Sequence, residues 1–430
     1  MNISPDTIEF IRSHAEDDIR LLALSAAKNA SIDLPFALDQ IRGRQIARHK
    51  LPSWAAVDGI IYPPHISMEQ CSSEQTARYK AGVLATYIKK EEAVFIDITG
   101  GFGVDFSYLA QGFSRCVYVE RQEHLCEIAR HNFPLLDLPE AEVVCGDGVE
   151  WIKGQVEDSI SPSNVTTPSP SGEGKGRGAN LAFFIDPARR DSHGNRTYAI
   201  GDCTPDIIGF IDEMTEKASV VMIKLSPMLD WHATVNDINH AVKGNDAVRE
   251  VHIISTANEC KELLIIVSTK RKDPLKVFCV NDEQVFSFTP SSSPSNVTTP
   301  SLSGEGKGRG ATHLFIPNAS IMKAGCFDQV SWHFDVNQIS GNSHIFVADH
   351  NIADFPGKSY RISSISSMNK KELRKALDGI TQANIATRNF PLSPEQLRKR
   401  LKLRDGGDIY IFATTTADQQ HVLYITRRNK

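Results

Sequence analysis

The segment Val94-Phe95-Ile96-Asp97-Ile98-Thr99-Gly100-Gly101-Phe102-Gly103-Val104-Asp105 decides how the rest of the chain is read. Apolar β-formers run up to an acid, as in a strand. Gly100, Gly101 and Gly103 follow, and a helical pattern opens after them. A strand, a glycine-rich turn and a helix in that order let a ligand approach the backbone at the C-terminal edge of a parallel sheet. A dinucleotide is a poor candidate, because G-x-G-x-x-G needs a third glycine where Phe106 stands, and Asp97 would face a pyrophosphate. An acid at that strand end suits a cationic ligand.

Working outward, residues 91–270 read as short β-rich runs alternating with helical segments, the pattern of a mostly parallel sheet with crossover helices. The strands are expected at Val94–Asp97, Cys116–Glu120, Glu142–Cys145, Leu181–Asp186, Val220–Leu225, Val251–Thr256 and Leu263–Thr269. Only Ala257 to Glu262 separates the last two, too little for a crossover helix, so they should form an antiparallel hairpin. The second strand ends in Glu120, and Asp147 follows the third in Cys145-Gly146-Asp147-Gly148. Any one of these acids could be a turn or helix cap. Acids at consecutive strand ends, in register with a glycine turn, point to a ligand.

This arrangement resembles the class I S-adenosylmethionine-dependent methyltransferases over residues 91–270. The resemblance implies an α/β fold: a seven-stranded Rossmann-like sheet with an N-terminal helical region and small C-terminal α+β modules. It also implies that Asp97, Thr99, Gly100, Gly101 and Gly103 cradle the amino-acid end of S-adenosyl-L-methionine, that Glu120 holds the ribose hydroxyls, and that Asp147 accepts from the adenine amine. The fourth strand ends Asp186-Pro187-Ala188-Arg189-Arg190, similar to the Asp-Pro-Pro-aromatic motif of methyltransferases acting on exocyclic amines of bases. Asp186 and Pro187 carry over as catalytic candidates, whereas Ala188 and Arg189 depart from the motif. Carbon-5 uridine methylation is disfavoured, because Lys224-Leu225-Ser226-Pro227-Met228 after the fifth strand offers no cysteine nucleophile. Upstream of the sheet, the polar run from Gln70 to Gln75 could cover a cofactor or cap a helix.

The 430 residues carry a formal charge of −5, which by itself argues against a polyanion partner. Divided by region, residues 358–430 hold 15 Lys/Arg against six acids, so the +9 of this end is masked by −14 elsewhere. Arg398, Arg400, Lys402 and Arg404 should face solvent from a helix whose Leu397 and Leu401 pack inward; with Arg189 they are the candidate contacts to RNA. The order of methyltransferase sheet, small module and basic end is similar to bacterial methyltransferases with a THUMP-like domain, with Arg388-Asn389-Phe390-Pro391-Leu392-Ser393 suggesting that family. The family implies transfer or ribosomal RNA as substrate.

Four regions are expected: 1–90 helical; 91–270 the methyltransferase domain; 271–345 a small α/β module; 346–430 a basic THUMP-like domain. Segments 161–179 and 293–311 are identical at 18 of 19 positions, too alike to be an old duplication, and read as disordered inserts. Near the C-terminus, Asn369 with Glu372, and Ser393 with Pro394 and Gln396, announce two helices, the second ended by Gly406-Gly407; a closing hairpin spans 409–413 and 421–426. Eight scattered cysteines at no zinc spacing indicate reduced thiols and no metal site. Acids inside the first 18 residues and the absence of a long apolar run argue for a cytoplasmic protein without a membrane span. Two other functions fit the same residues: an RNA-binding protein whose methyltransferase fold is inactive, or a methyltransferase acting on a protein or small molecule.

Overall fold

The computed structural model describes residues 3–25, 31–159, 180–188, 199–244, 246–290 and 310–428. Both candidate inserts, apart from Gly310 and Ala311, and the candidate Arg189 lie outside the described residues. The chain divides into two compact units, one of Met1–Val251 with Leu263–Asp273, the other of His252–Glu262 with Pro274–Lys430.

The first unit opens with helices α1 (Pro5–Ser13), α2 (Ile19–Ser25), α3 (Leu34–Lys50), α4 (Pro52–Ala55), α5 (His65–Gln70) and α6 (Glu74–Ala85). Ser4 caps α1 with Pro5 in its first turn, as its sequence requires. Thr7 is the buried residue of α1, with Ile11 half-buried one turn later and Ile8 39% exposed. Short helices with weak apolar stripes are placed by tertiary packing.

Strands β1 (Ala93–Asp97), β2 (Arg115–Glu120), β3 (Glu142–Cys145), β4 (Asn180–Ile185), β5 (Val220–Leu225), β6 (Val248–Thr256) and β7 (Glu259–Val267) follow in the order β3-β2-β1-β4-β5-β7-β6. The first five pair in parallel, and β7 inserts antiparallel beside β5. The crossovers are α7 (Val104–Leu109), α8 (Glu123–Leu135), α9 (Gly148–Ser159), α10 (Ile211–Lys217) and α11 (Trp231–Ala241). Every residue of β1 and β5 is buried, which explains their unbroken apolar runs. The expected hairpin forms with a tighter turn than its sequence suggests. Ala257 and Asn258, with φ of 51° and 64°, make a two-residue connection of the kind that matches strand twist.

In the second unit the distal half of the β6–β7 hairpin is extended by β8 (Lys276–Asn281), which pairs with β9 (Gln284–Phe288). A second sheet contains β10 (His313–Pro317), β11 (Asn337–Gln338), β12 (Phe346–Ala348), β13 (Gly357–Ser367), β14 (Asn384–Arg388), β15 (Ile409–Thr415) and β16 (His421–Arg428) in the order β11-β12-β10-β13-β16-β15-β14. Strand β10 pairs with β13, so segments on either side of residue 346 share one ladder. Helices α12 (Ala319–Ala324), α13 (Phe327–Phe334), α14 (Lys370–Ala376) and α15 (Pro394–Leu401) complete the unit.

One face of the second sheet packs Tyr360, Phe412 and Tyr424 with Ile339, Ile345 and Val347. The other packs Ile411, Ala413, Leu423 and Ile425 with Leu397 and Leu403. The capping box at Ser393 and Gln396 is present. Two signals read differently in the structure. Glu372 accepts from Ser367 N–H and not from its own cap residue, and α15 ends at Leu401 with Lys402 in the left-handed region, before Gly406-Gly407. Strands β13 and β14 have no sequence announcement, since Ser, Lys, Arg and Thr dilute their apolar positions.

Candidate active site

The glycine turn adopts the conformation that demands glycine. Gly101 and Gly103 have φ of 56° and 86°, and a Cβ on Gly100 would stand 2.2 Å from the Tyr118 ring. The Tyr118 hydroxyl donates to the Gly101 carbonyl. Gly101 N–H in turn donates to Glu120 Oε2 at 2.8 Å, and Glu120 Oε1 accepts from Gln122 N–H at 2.9 Å. The carboxylate at the end of β2 is thereby fixed against the turn after β1.

Thr99 joins the ends of β1 and β4. Its amide donates to Asp97 Oδ1 at 2.9 Å, while its hydroxyl accepts from the Asp186 amide at 2.7 Å. Asp97 is 1% exposed. Burial raises its pKa well above the usual carboxylate range, and the nearby charges of Asp105, Asp186 and Glu120 push the same way. Asp147 Oδ1 accepts from Val149 and Glu150 N–H at 2.9 and 3.1 Å and so caps α9. Its other oxygen lies 3.8 Å from Arg121. A Cβ on Gly148 would meet the Ile98 carbonyl at 2.2 Å, so only glycine lets the start of α9 lie against the segment after β1.

Asp186 follows β4 with its side chain 38% exposed, and Pro187 beside it is buried. Its Oδ2 accepts from Lys224 Nζ at 2.6 Å, a residue the sequence reading quoted but gave no role. Lys224 also reaches Asp105 Oδ2 at 3.3 Å. Asp105 opens α7 directly behind the glycine turn, pairs with Lys80 at 3.0 Å and accepts from the Ser72 hydroxyl at 2.7 Å. Lys80 is fully buried and also donates to Ser72 at 3.1 Å. Against the raising effect of burial, Lys80 and then Lys224 hold the Asp105 carboxyl down at about 2.

Ser72, Lys80, Asp105, Lys224 and Asp186 therefore form one ion-pair chain that joins α6 to the catalytic candidate. The one available signal was Lys224 within the apolar run Val-Val-Met-Ile-Lys-Leu, since a buried ammonium requires a carboxylate partner. Within the polar run ahead of the sheet, Ser73 caps α6 and Ser72 joins this chain. The N-terminal helices also pack on the turn itself, with Trp54 edge-on to Phe102 at 4.9 Å.

Acceptors dominate the edge: Asp97, Glu120, Asp147 and Asp186 stand at or just after four neighbouring parallel strands. A Cβ on Gly101 would meet nothing nearer than the Thr99 carbonyl at 3.8 Å, so the turn backbone is open to a ligand. Such a donor-poor cradle fits a cationic, hydroxyl-bearing molecule and opposes a pyrophosphate. Among the described residues no group of three or more His, Cys, Asp or Glu could hold a metal ion, and no helix is long and apolar enough to cross a membrane.

The basic candidates lie in the second unit. Arg400, Lys402 and Arg404 are exposed. Arg398 is not turned outward as expected: its side chain is 24% exposed and bonded to Asp405 at 2.6 Å.

The sheet order, with an antiparallel β7 between β5 and β6 and acids beside a glycine turn, is that of the class I methyltransferase fold. Residues 357–428 match the family described as THUMP domain-like, and residues 313–356 match a ferredoxin-like domain family. Over 100% of both chains, the protein is similar to a crystal structure from Porphyromonas gingivalis W83 provisionally named a methyltransferase, at 27% identity and a TM-score of 0.79. An rRNA methylase from Streptococcus thermophilus is 13% identical, with 44% of this chain and 93% of that one covered and a TM-score of 0.27. No curated protein matches the chain. The chain thus has the fold of the class I S-adenosylmethionine-dependent methyltransferases and carries a C-terminal region that matches the THUMP-like family.

Proposed function

We propose that this chain methylates RNA in the cytoplasm, with residues 91–270 carrying catalysis and the basic C-terminal region, 346–430, holding the substrate. The observation that carries the catalytic half is the Glu120 carboxylate fixed to Gly101 N–H beside the buried Asp97. Asp97, Thr99 and the glycine turn would receive the amino-acid end of S-adenosylmethionine, Glu120 the ribose hydroxyls, and Asp147 the adenine amine through its uncapped oxygen. Bound there, the sulfonium supplies an activated methyl group to a nucleophile held in line with it.

The protein's own contribution is alignment and hydrogen-bond acceptance. Lys224 occupies Asp186 Oδ2, which leaves Oδ1 to accept from an amine and to orient its lone pair. The nitrogen that takes the methyl group would lose a proton, and Asp186 Oδ1, which accepts from that amine, would receive it and pass it to solvent. The THUMP-like match and the +9 balance of residues 358–430 support RNA as the bearer of that amine.

Calorimetry with S-adenosylhomocysteine tests the cradle. Wild-type protein should bind, and Asp97→Ala, Gly101→Val and Glu120→Ala should each abolish binding; unchanged affinity in all three removes the assignment. An inactive RNA-binding protein would bind both ligands yet transfer no methyl group. A protein or small-molecule methyltransferase would lack the salt dependence of RNA binding, a slope of about −0.7 per phosphate contacted on single strands.

A further inference from the structure

Residues opposite each other in an antiparallel ladder project on the same face, with β-carbons about 4.5–5.5 Å apart. In the second sheet Arg361 of β13 stands directly opposite Arg427 of β16. On its other side Arg361 is opposite His313 of β10, so the three side chains form one row across three strands. Both arginines are exposed, and neither makes an ion pair with a carboxylate among the described residues. Of the acids at this end of the sheet, Asp349 pairs with His350 at 2.9 Å and Asp405 with Arg398 at 2.6 Å, while Asp408 ahead of β15 pairs with neither arginine. Beyond Ile409, which is opposite Arg427, the same end carries the exposed Arg404, bridged to Gln382 just ahead of β14.

Like charges placed directly opposite each other destabilise a sheet. Salt does not hide them at this separation, since the Debye length is about 8 Å at physiological ionic strength. The fold therefore holds two guanidinium groups side by side, in solvent, with no carboxylate bonded to either. Burial, then the charges of Arg361 and His350, lowers the pKa of His313, the response of an imidazole set among cations. Such a row calls for an anion, and the +9 balance of residues 358–430 carries the same sign around it. Guanidinium forks match phosphate oxygens in geometry as well as charge. We propose that Arg361 and Arg427, flanked by His313 and Arg404, hold neighbouring phosphates of the RNA backbone. This rests on the RNA reading above and adds the surface that does the holding: a row of strand residues on the second sheet, beside the helix residues Arg400 and Lys402.

The test measures binding of a labelled single-stranded oligoribonucleotide to the full chain by fluorescence anisotropy, between about 50 and 200 mM KCl. Arg361→Gln and Arg427→Gln should each reduce the magnitude of the salt slope by about 0.7, which at about 0.1 M salt is about a fivefold loss of affinity. The double variant should lose about 25-fold. Each single change removes one of two opposed charges, so neither should lower the melting midpoint of the RNA-free protein; this separates lost binding from lost folding. Lys371→Gln removes the same charge at the start of α14, beyond the far end of β13, and should leave affinity within about twofold. Wild-type protein without salt-dependent RNA binding fails the RNA reading itself and this assignment with it. Wild-type binding that the double variant retains with an unchanged slope, an equal loss in Lys371→Gln, or a lower midpoint in both arginine variants overturns the assignment alone.

Discussion

Replacing Asp105 by asparagine should markedly destabilise the first unit. The side chain is 9% exposed and is faced by the ammonium groups of Lys80 and Lys224 at 3.0 and 3.3 Å, the first of them without solvent contact. Asparagine keeps the shape and an acceptor for Ser72 but takes the carboxylate charge away from the buried Lys80, while Lys224 retains Asp186. Breaking a buried pair by removing one partner costs about 3–5 kcal/mol. The carboxyl's own titration gives a consistent scale: its fall from 3.8 to about 2 corresponds to about 2.5 kcal/mol. Because the folded value is depressed, that stability is fully present above the unfolded value of 3.8 and is lost as pH falls toward 2. The assay is urea unfolding followed by tryptophan fluorescence, since Trp54, Trp151 and Trp231 all lie in the first unit. At pH 7 the variant should lose about 3–5 kcal/mol and should lack the wild-type decline between pH 4 and 2. A loss under about 1 kcal/mol at pH 7, or an unchanged acid decline, refutes the buried-cluster reasoning.

Other expected outcomes follow from the same geometry. Asp97→Asn should stabilise the ligand-free protein by about 1 kcal/mol or more at pH 7, since the folded pKa is raised and wild-type stability falls as pH climbs from the unfolded value through it; the same variant should lose S-adenosylhomocysteine binding in calorimetry. Gly100→Ala drives a methyl group into the Tyr118 ring and should cost about 1–3 kcal/mol in urea melts. Lys224→Met frees Asp186 Oδ2 and should lower kcat for methyl transfer by about tenfold or more while S-adenosylhomocysteine affinity stays within about threefold.

The strands of the methyltransferase sheet were legible because parallel strands buried on both faces carry unbroken apolar runs, and the glycine turn because its backbone admits no side chain at Gly100. Asp97, Glu120 and Asp186 were legible as acids closing those runs. The ion-pair chain behind them was not, because Lys80, Asp105 and Lys224 are joined by the fold alone across more than a hundred residues. Asp147 shows the limit of a strand-end acid as a signal, since one of its oxygens caps α9. Arg398 shows the limit of a charge count: its position on α15 predicted solvent, and Asp405, brought back by the turn after the helix, claims it instead. In the second sheet, β13 and β14 escaped notice because their partners, and not their own residue types, make them strands.

The central claim is methyl transfer to RNA. The most direct measurement incubates the full chain with S-adenosylmethionine labelled in its methyl group and total RNA from cells lacking the protein, followed by nucleoside analysis. Label should enter one nucleoside at an amine nitrogen with wild-type protein and be lost with Asp186→Asn. Label confined to protein or small molecules, or none in RNA while S-adenosylhomocysteine still binds, would contradict the account.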